Sequence, residues 1–203
     1  MKHATSRELY EYWDRVRRGE KAPRRSEIEP SDLRRILADT FILEVAGREK
    51  YVVRLAGTRI CGAYCRELKG TNFLDLFEKD DRAAVATLGT AVAEDGAGAV
   101  LTVAATSARQ KNLSFELLML PLRHGNDSFD RLLGSFAPFE RPYWLGTEPV
   151  VRQTLTSLRL VWPDEKPDFM RRASDRKEPT IIPFPVDGGR RRGHLFVLDG
   201  GKD

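Results

Sequence analysis

The stretch Asn112–Phe139 decides the fold: NLSFELLMLPLRHG at Asn112–Gly125, NDS at Asn126–Ser128, and FDRLLGSFAPF at Phe129–Phe139. Two apolar runs of strand length flank a segment rich in Gly, Asn and Asp, which is the composition of a hairpin turn. We therefore predict that this stretch forms the central pair of strands in an antiparallel sheet.

The first strand of this hairpin is apolar on both faces toward its end, because side chains alternate between the two faces of a strand. One face carries Leu113, Phe115, Leu117 and Met119. The other carries Ser114 and Glu116, and then Leu118, Leu120 and Leu122. A sheet that is wet on one side needs one apolar face only. We expect a helix, a second subunit or a ligand to cover the second face.

The composition indicates one domain of roughly 100–150 residues with appendages in this 203-residue chain. Charged residues make up 32% and the net charge is +4, so a pI near 9.2 does not by itself indicate nucleic acid. Cys61 and Cys65 have a spacing that suits one helix face better than a disulfide. With no apolar run of membrane-spanning length and no signal sequence after Met1, we expect a cytoplasmic protein with reduced thiols and no membrane insertion.

An amphipathic helix is predicted from about Ser6 to Arg18. Thr5 and Glu8 have the spacing of a capping box, and the apolar residues that recur at helical spacing are Leu9, Tyr12, Trp13 and Val16. The next predicted elements are a short helix at Pro30–Leu37 and strands at Thr40–Val45 and Tyr51–Ala56.

The pattern then becomes helical between Gly57 and Gly96. Short helices are predicted at Thr58–Tyr64 and Phe73–Phe77. A longer helix follows the N-cap candidates Asp80 and Asp81, stops at Gly96, and carries inward Val85, Leu88 and Val92. Val100–Thr106, rich in Val and Thr, is a predicted strand that leads into the hairpin.

Signals weaken beyond Pro142. Val150–Trp162 is compatible with a strand or with a short helix on the core. Pro163–Arg192 is predicted to be a mobile linker, and His194–Leu198 is an apolar island that suits an added strand or a docking peptide. We divide the chain into an N-terminal helix and loop (1–29), a central domain (30–146), an extension packed on the core (147–162) and a flexible basic tail (163–203).

Five short segments carry a resemblance to a known family. They are RLAGT at Arg54–Thr58, LKG at Leu68–Gly70, DR at Asp81–Arg82, ELLMLPL at Glu116–Leu122 and DRLLG at Asp130–Gly134. In their order and spacing, across about Ser6–Trp144, the sequence resembles the alphaproteobacterial stand-alone PAS-domain family.

The resemblance implies an α+β PAS fold: a five-stranded antiparallel sheet with helices over one face, and an N-terminal helix. It also implies a homodimer and a non-catalytic regulator that acts through protein partners in bacterial signalling or cell-cycle pathways. The candidates for the dimer or partner face are Leu9, Trp13, Val16, Leu118 and Leu120. A small ligand that biases these contacts would lie among Phe73, Phe77, Val85, Leu88, Phe115 and Leu117, unless these residues simply pack.

A flavin is the first cofactor to consider. GAYCRELKG at Gly62–Gly70 resembles the loop of flavin-binding photoreceptor PAS domains, in which the cysteine attacks the excited flavin. Tyr64 and Lys69 replace the Asn and Gln of that loop, and Leu132–Phe139 carries no Asn or Gln for the polar edge of a flavin. We therefore predict that Cys65 is a small buried or half-buried cysteine, with a flavin photosensor as an alternative.

Haem, metal and catalytic sites are not expected either. The long helix carries no axial histidine, and His3, His124 and His194 fall on a terminus, a turn and the tail. No nucleophile elbow, P-loop or dinucleotide motif is present. We interpret Glu116 and the pair Asp130–Arg131 as charges that pair across the hairpin rather than as acid and base.

The tail offers a second hypothesis. Arg171, Arg172 and Arg176 have the spacing of the arginine half of the cyclic-diguanylate motif of PilZ domains, which predicts a cyclic-dinucleotide or phosphate-responsive adaptor. The second half of that motif does not follow. Arg190–Arg192 lacks interleaved aromatic residues, so nucleic acid is not an expected partner.

Overall fold

The computed structural model describes residues 1–124, 128–164, 167–170, 190–192 and 195–197. The chain divides into two units, Met1–Phe169 and Met170–Asp203. The helices of the first unit are α1 Ala4–Arg17, α2 Thr58–Ala63 and α3 Lys79–Asp95. Its strands are β1 Thr40–Gly47, β2 Lys50–Ala56, β3 Gly98–Ser107, β4 Asn112–His124, β5 Ser128–Pro138 and β6 Val150–Val161. In the second unit, β7 Arg190–Arg192 pairs antiparallel with β8 Leu195–Val197.

The first unit is an α+β fold built on one antiparallel sheet of six strands in the order β2-β1-β5-β4-β3-β6. The hairpin of β4 and β5 lies at the centre of the sheet, as the sequence predicts. The five-stranded sheet implied by the resemblance is present, and β6 adds a sixth strand beside β3. In the central pair, Leu117 lies opposite Phe136 and Leu118 lies opposite Ser135.

We call the face of the sheet that carries Phe115, Leu117 and Met119 the inner face. α3 packs against β3, β4 and β5 on this side. The predicted inward residues of α3 are buried there, with Val85 1%, Leu88 6% and Val92 0% exposed. Between the sheet and the helices lies a continuous apolar core.

We call the opposite face, which carries Glu116, Leu118, Leu120 and Leu122, the outer face. It is covered by α1 of the same chain, which packs against β4 and β5. Trp13 is buried and its indole Nε1–H donates to the carbonyl oxygen of Pro121 at 2.8 Å. The second apolar face therefore has the helical cover that its composition demands.

The ends of several predicted elements differ in the structure. α1 begins at Ala4 and not at Ser6, because His3 is its N-cap and accepts the Thr5 N–H on Nδ1 at 3.1 Å. The predicted capping box of Thr5 and Glu8 is therefore wrong. The predicted helix Pro30–Leu37 is instead two 3₁₀ turns, Pro30–Leu33 and Leu37–Asp39.

Val150–Val161 is a strand, which resolves the choice that the sequence leaves open. It is held by contacts outside the β3 ladder as well: the Glu78 N–H donates to the Gln153 carbonyl at 3.0 Å, and the Leu155 N–H donates to Asp81 Oδ2 at 2.8 Å. Asp81 lies in the first turn of α3. These two hydrogen bonds thus join the start of α3 to β6.

The chain just before β6 is held by the carboxylate of Glu148. This group accepts hydrogen bonds from Ser107 Oγ at 2.5 Å and Arg109 N–H at 2.8 Å, and lies 3.1 Å from Lys111 Nζ. The Ser107 hydrogen bond, with help from Lys111, keeps the pKa of Glu148 below its ordinary value. Because the three partners lie at the end of β3 and in the turn that follows it, Glu148 fixes the entry of the chain into β6.

Gly134 allows the closest packing in the centre of the sheet. A Cβ at this position would overlap the Phe41 ring and the Leu118 carbonyl oxygen, the latter a backbone atom that cannot move aside. We expect Gly134→Ala to lower the free energy of unfolding by about 1–3 kcal/mol or more. Urea denaturation measures this. Gly62→Ala is the matched control, since its Cβ would meet only Gly146 Cα at 3.9 Å and alanine favours α2.

The Glu148 cluster predicts a pH dependence of stability. A carboxyl group whose folded pKa is lowered stabilises the fold above its unfolded pKa, and this contribution is lost as the pH falls through the folded pKa. Urea unfolding midpoints of the unaltered chain and of Glu148→Gln should be compared at about pH 7 and about pH 3. The variant should unfold at a lower urea concentration at the higher pH, and the difference between the two midpoints should shrink at the lower pH. The exposed Glu140 provides the control Glu140→Gln. A difference in urea midpoint that is the same at both pH values contradicts the proposed role of the Glu148 charge.

Candidate functional site

The predicted ligand-pocket residues all lie in the buried cluster on the inner face: Phe73, Phe77, Val85, Leu88, Phe115 and Leu117. Their rings are closely packed with neighbours, with centroids 4.2 Å apart for Phe115 and Phe136 and 5.2 Å apart for Phe73 and Phe41. The cavity at this place has a volume of about 10 Å³, and Phe73 is the one candidate that lines it. A space of this size holds about one water. The role of these six residues in binding a ligand stays a prediction.

A polar pair interrupts this apolar core. Tyr64 Oη, at the end of α2, donates to Gln153 Oε1 of β6 at 2.5 Å, and both side chains are buried. Gln153 Nε2 has no hydrogen-bond partner in the part of the chain that the structure describes. Burial raises the pKa of Tyr64 above its ordinary value, so the hydroxyl stays protonated and donates. The pair links β6 to the core, and the sequence analysis did not single out Gln153.

The two cysteines do not match the expectation that they share a helix face. Cys61 lies in α2, where burial raises the pKa of its thiol, and its Sγ lies 3.4 Å from Glu67 Oε1. Cys65 follows the end of α2 with φ 51° and is exposed, so the prediction of a buried or half-buried side chain is wrong for Cys65. It is not among the residues that line the inner cavity. This position does not present the thiol to a ligand in the core.

On the outer face, Glu116 is the central polar group. The residue is 2% exposed, and its carboxylate accepts hydrogen bonds from the backbone N–H groups of Lys2 at 2.6 Å and His3 at 3.0 Å, directly before α1. A carboxylate at a helix N-terminus is stabilised by the amide groups and by the helix dipole. Glu116 therefore holds the start of α1 on the sheet.

The predicted pairing of Glu116 with Arg131 is wrong. Arg131 lies opposite Leu122, near the turn of the hairpin, whereas Glu116 lies opposite Ala137. The Arg131 guanidinium is 3.5 Å from the carboxylate of Glu44 in β1 and 3.5 Å from that of Asp130. Asp130 is also 3.5 Å from Nδ1 of His124. The charged side chains near the turn thus pair with one another, whereas Glu116 binds the residues that precede α1.

The candidates for a dimer or partner face fall on the contact between α1 and the sheet. Leu9, Trp13, Leu118 and Leu120 are between 0% and 2% exposed, and Val16 is half-buried. The first four are therefore not on the surface of the folded chain, and a contact between copies through them requires α1 to leave the sheet or to be exchanged. Their role in an interface stays a prediction.

The remaining expectations concern metal ions, membrane segments and the tail. Among the described residues, no three His, Cys, Asp or Glu side chains are grouped to hold a metal ion. No described helix is long and apolar enough to cross a membrane. Arg171, Arg172 and Arg176, like His194, lie outside the described residues, as does most of the predicted linker.

Comparison with known families agrees with this architecture. A family model described as a PAS domain matches residues 1–137, which is more than half of the chain. The chain belongs to the PAS domain family. The match includes α1 and the strands from β1 to β5, except for the last residue of β5, and it ends before β6. The added strand is thus outside the matched part of this PAS chain.

The PAS chain is also similar to solved light-oxygen-voltage (LOV) proteins. The Rhodobacter sphaeroides LOV protein is 17% identical with a TM-score of 0.42, over 57% of this chain and 71% of that chain. The d2 variant of RsLOV is 21% identical with a TM-score of 0.38, over 51% and 60%. An RNA-binding Light-Oxygen-Voltage receptor is 14% identical with a TM-score of 0.42, over 60% of this chain and 34% of that chain. The search of curated proteins finds no match.

The Tyr64–Gln153 pair predicts a measurable coupling. Tyr64→Phe leaves both ends of the buried Gln153 amide without a partner and should lower the free energy of unfolding by about 1–3 kcal/mol. Gln153→Met should lower the free energy of unfolding by less, because it also removes the amide N–H groups of Gln153 Nε2 that have no partner in the described part of the chain. A double-mutant cycle by chemical denaturation should therefore give a loss smaller than the sum of the single losses. Additive losses would show that the two side chains do not support one another.

Proposed function

We propose that this PAS chain is a non-catalytic sensory or regulatory module that acts through protein–protein contacts, and that the docking of α1 on the outer face controls those contacts. The observation that carries the proposal is the buried Glu116 carboxylate of the outer face, which accepts hydrogen bonds from the two N–H groups before α1. The Trp13 indole adds a third hydrogen bond, in the second half of the helix. A few polar bonds thus decide whether a large apolar surface is covered or exposed.

The same contacts support pairing of two copies. These three hydrogen bonds join α1 and the two residues before it to the sheet through groups that every copy of the chain carries, so the helix of one copy can make them with the sheet of another. Such an exchange is consistent with the burial of Leu9, Trp13, Leu118 and Leu120, since it buries them equally well. The proposed unit is therefore a homodimer that also presents α1, or the face beneath it, to a regulatory partner.

The resemblance to alphaproteobacterial stand-alone PAS proteins supports two further parts of the proposal. The protein would act in the cytoplasm, and it would belong to a bacterial signalling or cell-cycle pathway. In this proposal residues 30–146 are the PAS domain, 1–29 the regulatory helix and loop, 147–162 the extension, and 163–203 a basic tail. A small ligand in the inner core would bias α1 through β4, whose side chains face both sides. Ligand sites usually have volumes of about 300 Å³ or more, so binding there requires the stacked rings to move apart.

The proposal is tested by weakening the docking of α1 without removing its apolar face. Glu116→Gln keeps the shape of the side chain and removes the charge that binds the two N–H groups, a loss of about 1–2 kcal/mol. Hydrogen exchange of residues 4–17 should become about tenfold faster or more. Sedimentation velocity should show a changed balance of monomer and dimer.

Glu11→Gln is the matched control, since Glu11 lies on the exposed side of α1 and loses the same charge. The absorption spectrum of the purified protein is recorded at the same time. A visible flavin band would replace the proposal by the photosensor alternative. Unchanged hydrogen exchange and an unchanged oligomeric state in Glu116→Gln would refute the control of contacts by α1.

A further inference from the structure

α1 is enclosed on its flanks as well as on the side that faces the sheet. Successive residues of a helix point about 100° apart, so Tyr10 and Tyr12 point to opposite sides of Leu9. On one flank, the Tyr12 hydroxyl oxygen accepts the backbone N–H of Glu29, in the loop after α1, at 2.8 Å. Tyr10 is only 3% exposed, so a different segment covers the other flank.

The chain after β6 supplies this second cover. We call residues 163–169 the strap, which the structure describes at 163–164 and 167–169. The Phe169 ring meets the Tyr10 ring edge to face, with centroids 5.9 Å apart and planes at 79°. Arg7 Cζ lies 5.9 Å from the centroid of the Phe169 ring. Both arrangements are attractive beyond the apolar area that they bury. The strap therefore binds the first half of α1 through one aromatic side chain.

The strap also contacts the last turn of α1. Arg17 Nη2 donates to the Pro163 carbonyl oxygen at 3.2 Å. α1 rises about 15 Å between Arg7 and Arg17, and the steps from Pro163 to Phe169, about 20 Å when extended, can span that distance. Pro163 and the buried Pro167 each fix one φ angle, which lowers the entropy lost when the strap is ordered. The strap thus contacts α1 near both of its ends.

We propose that the strap holds α1 on the outer face and must leave the helix before α1 can leave the sheet. This inference rests on the proposed function and adds the segment that opposes the release of α1. Because the strap belongs to the chain after β6 and not to α1 or its loop, it can detach while the helix stays docked. Detachment exposes the Tyr10 ring to water, which weakens the docking. A partner that binds the strap competes with α1 and thereby favours its release.

The test changes Phe169 in the full chain and follows hydrogen exchange of residues 4–17. Phe169→Ala should make this exchange about tenfold faster or more, because the aromatic contact and its buried area are lost. The exchange of α1 should depend less on urea than the exchange of α3, since release of one helix exposes less surface than unfolding of the chain. Phe169→Tyr keeps the aromatic ring and should exchange as the unaltered chain does. Tyr143→Ala is the matched control, since it removes a ring that is 87% exposed.

The outcomes separate the strap from the proposed function on which it rests. Unchanged exchange of residues 4–17 in Phe169→Ala, or the same acceleration in Phe169→Tyr or Tyr143→Ala, overturns the role of the strap, whatever Glu116→Gln shows. Faster exchange in Phe169→Ala alone supports that role. Sedimentation velocity of Phe169→Ala and Glu116→Gln then reports on contacts between copies. If exchange is faster in both variants and the oligomeric state of both is unchanged, the strap holds α1, and it is the control of contacts by α1 that fails.

Discussion

The rest of the structure depends on one constraint: β4 is buried on both faces. Leu117 and Leu118 are adjacent, point to opposite sides of the sheet, and are both 0% exposed. A strand of this kind is stable only when separate layers cover the two faces, since apolar surface left in water costs about 25 cal/mol per Å². α3 supplies one layer and α1 the other. The N-terminal helix is therefore a part of the core and not an appendage.

The outer layer differs from the inner one in its polar content. The inner face is closed mainly by apolar side chains, and its buried polar groups include the Tyr64–Gln153 pair and the Tyr51 hydroxyl, which donates to the Ala86 carbonyl oxygen at 2.9 Å. The outer face contains a buried carboxylate, and a buried charge is strongly unfavourable unless it is paired or hydrogen-bonded. Whatever covers the outer face must therefore bring donors to Glu116. The N–H groups before α1 meet that demand, which gives the helix one position along the sheet.

Much of the fold follows from apolar periodicity, because alternation and helical spacing are local properties. The central hairpin, the inward residues of α3 and the need for a second cover could all be predicted in this way. The partner of Glu116 could not, since Lys2 lies 114 residues away and donates with its backbone, which leaves no trace in residue type. Spacing within the hairpin favoured Arg131, which the strand register places beside Leu122 instead.

Other failures have equally specific causes. His3 caps α1 through a ring nitrogen, and histidine is not among the residues that usually mark an N-cap. β6 alternates poorly because its exposed positions include Val151 and Leu158, which are 60% and 52% exposed. The loop after α1 is placed beside the end of β4 by a backbone contact, in which the Arg123 N–H donates to the Pro23 carbonyl oxygen at 2.9 Å, and such a contact leaves no trace in residue type.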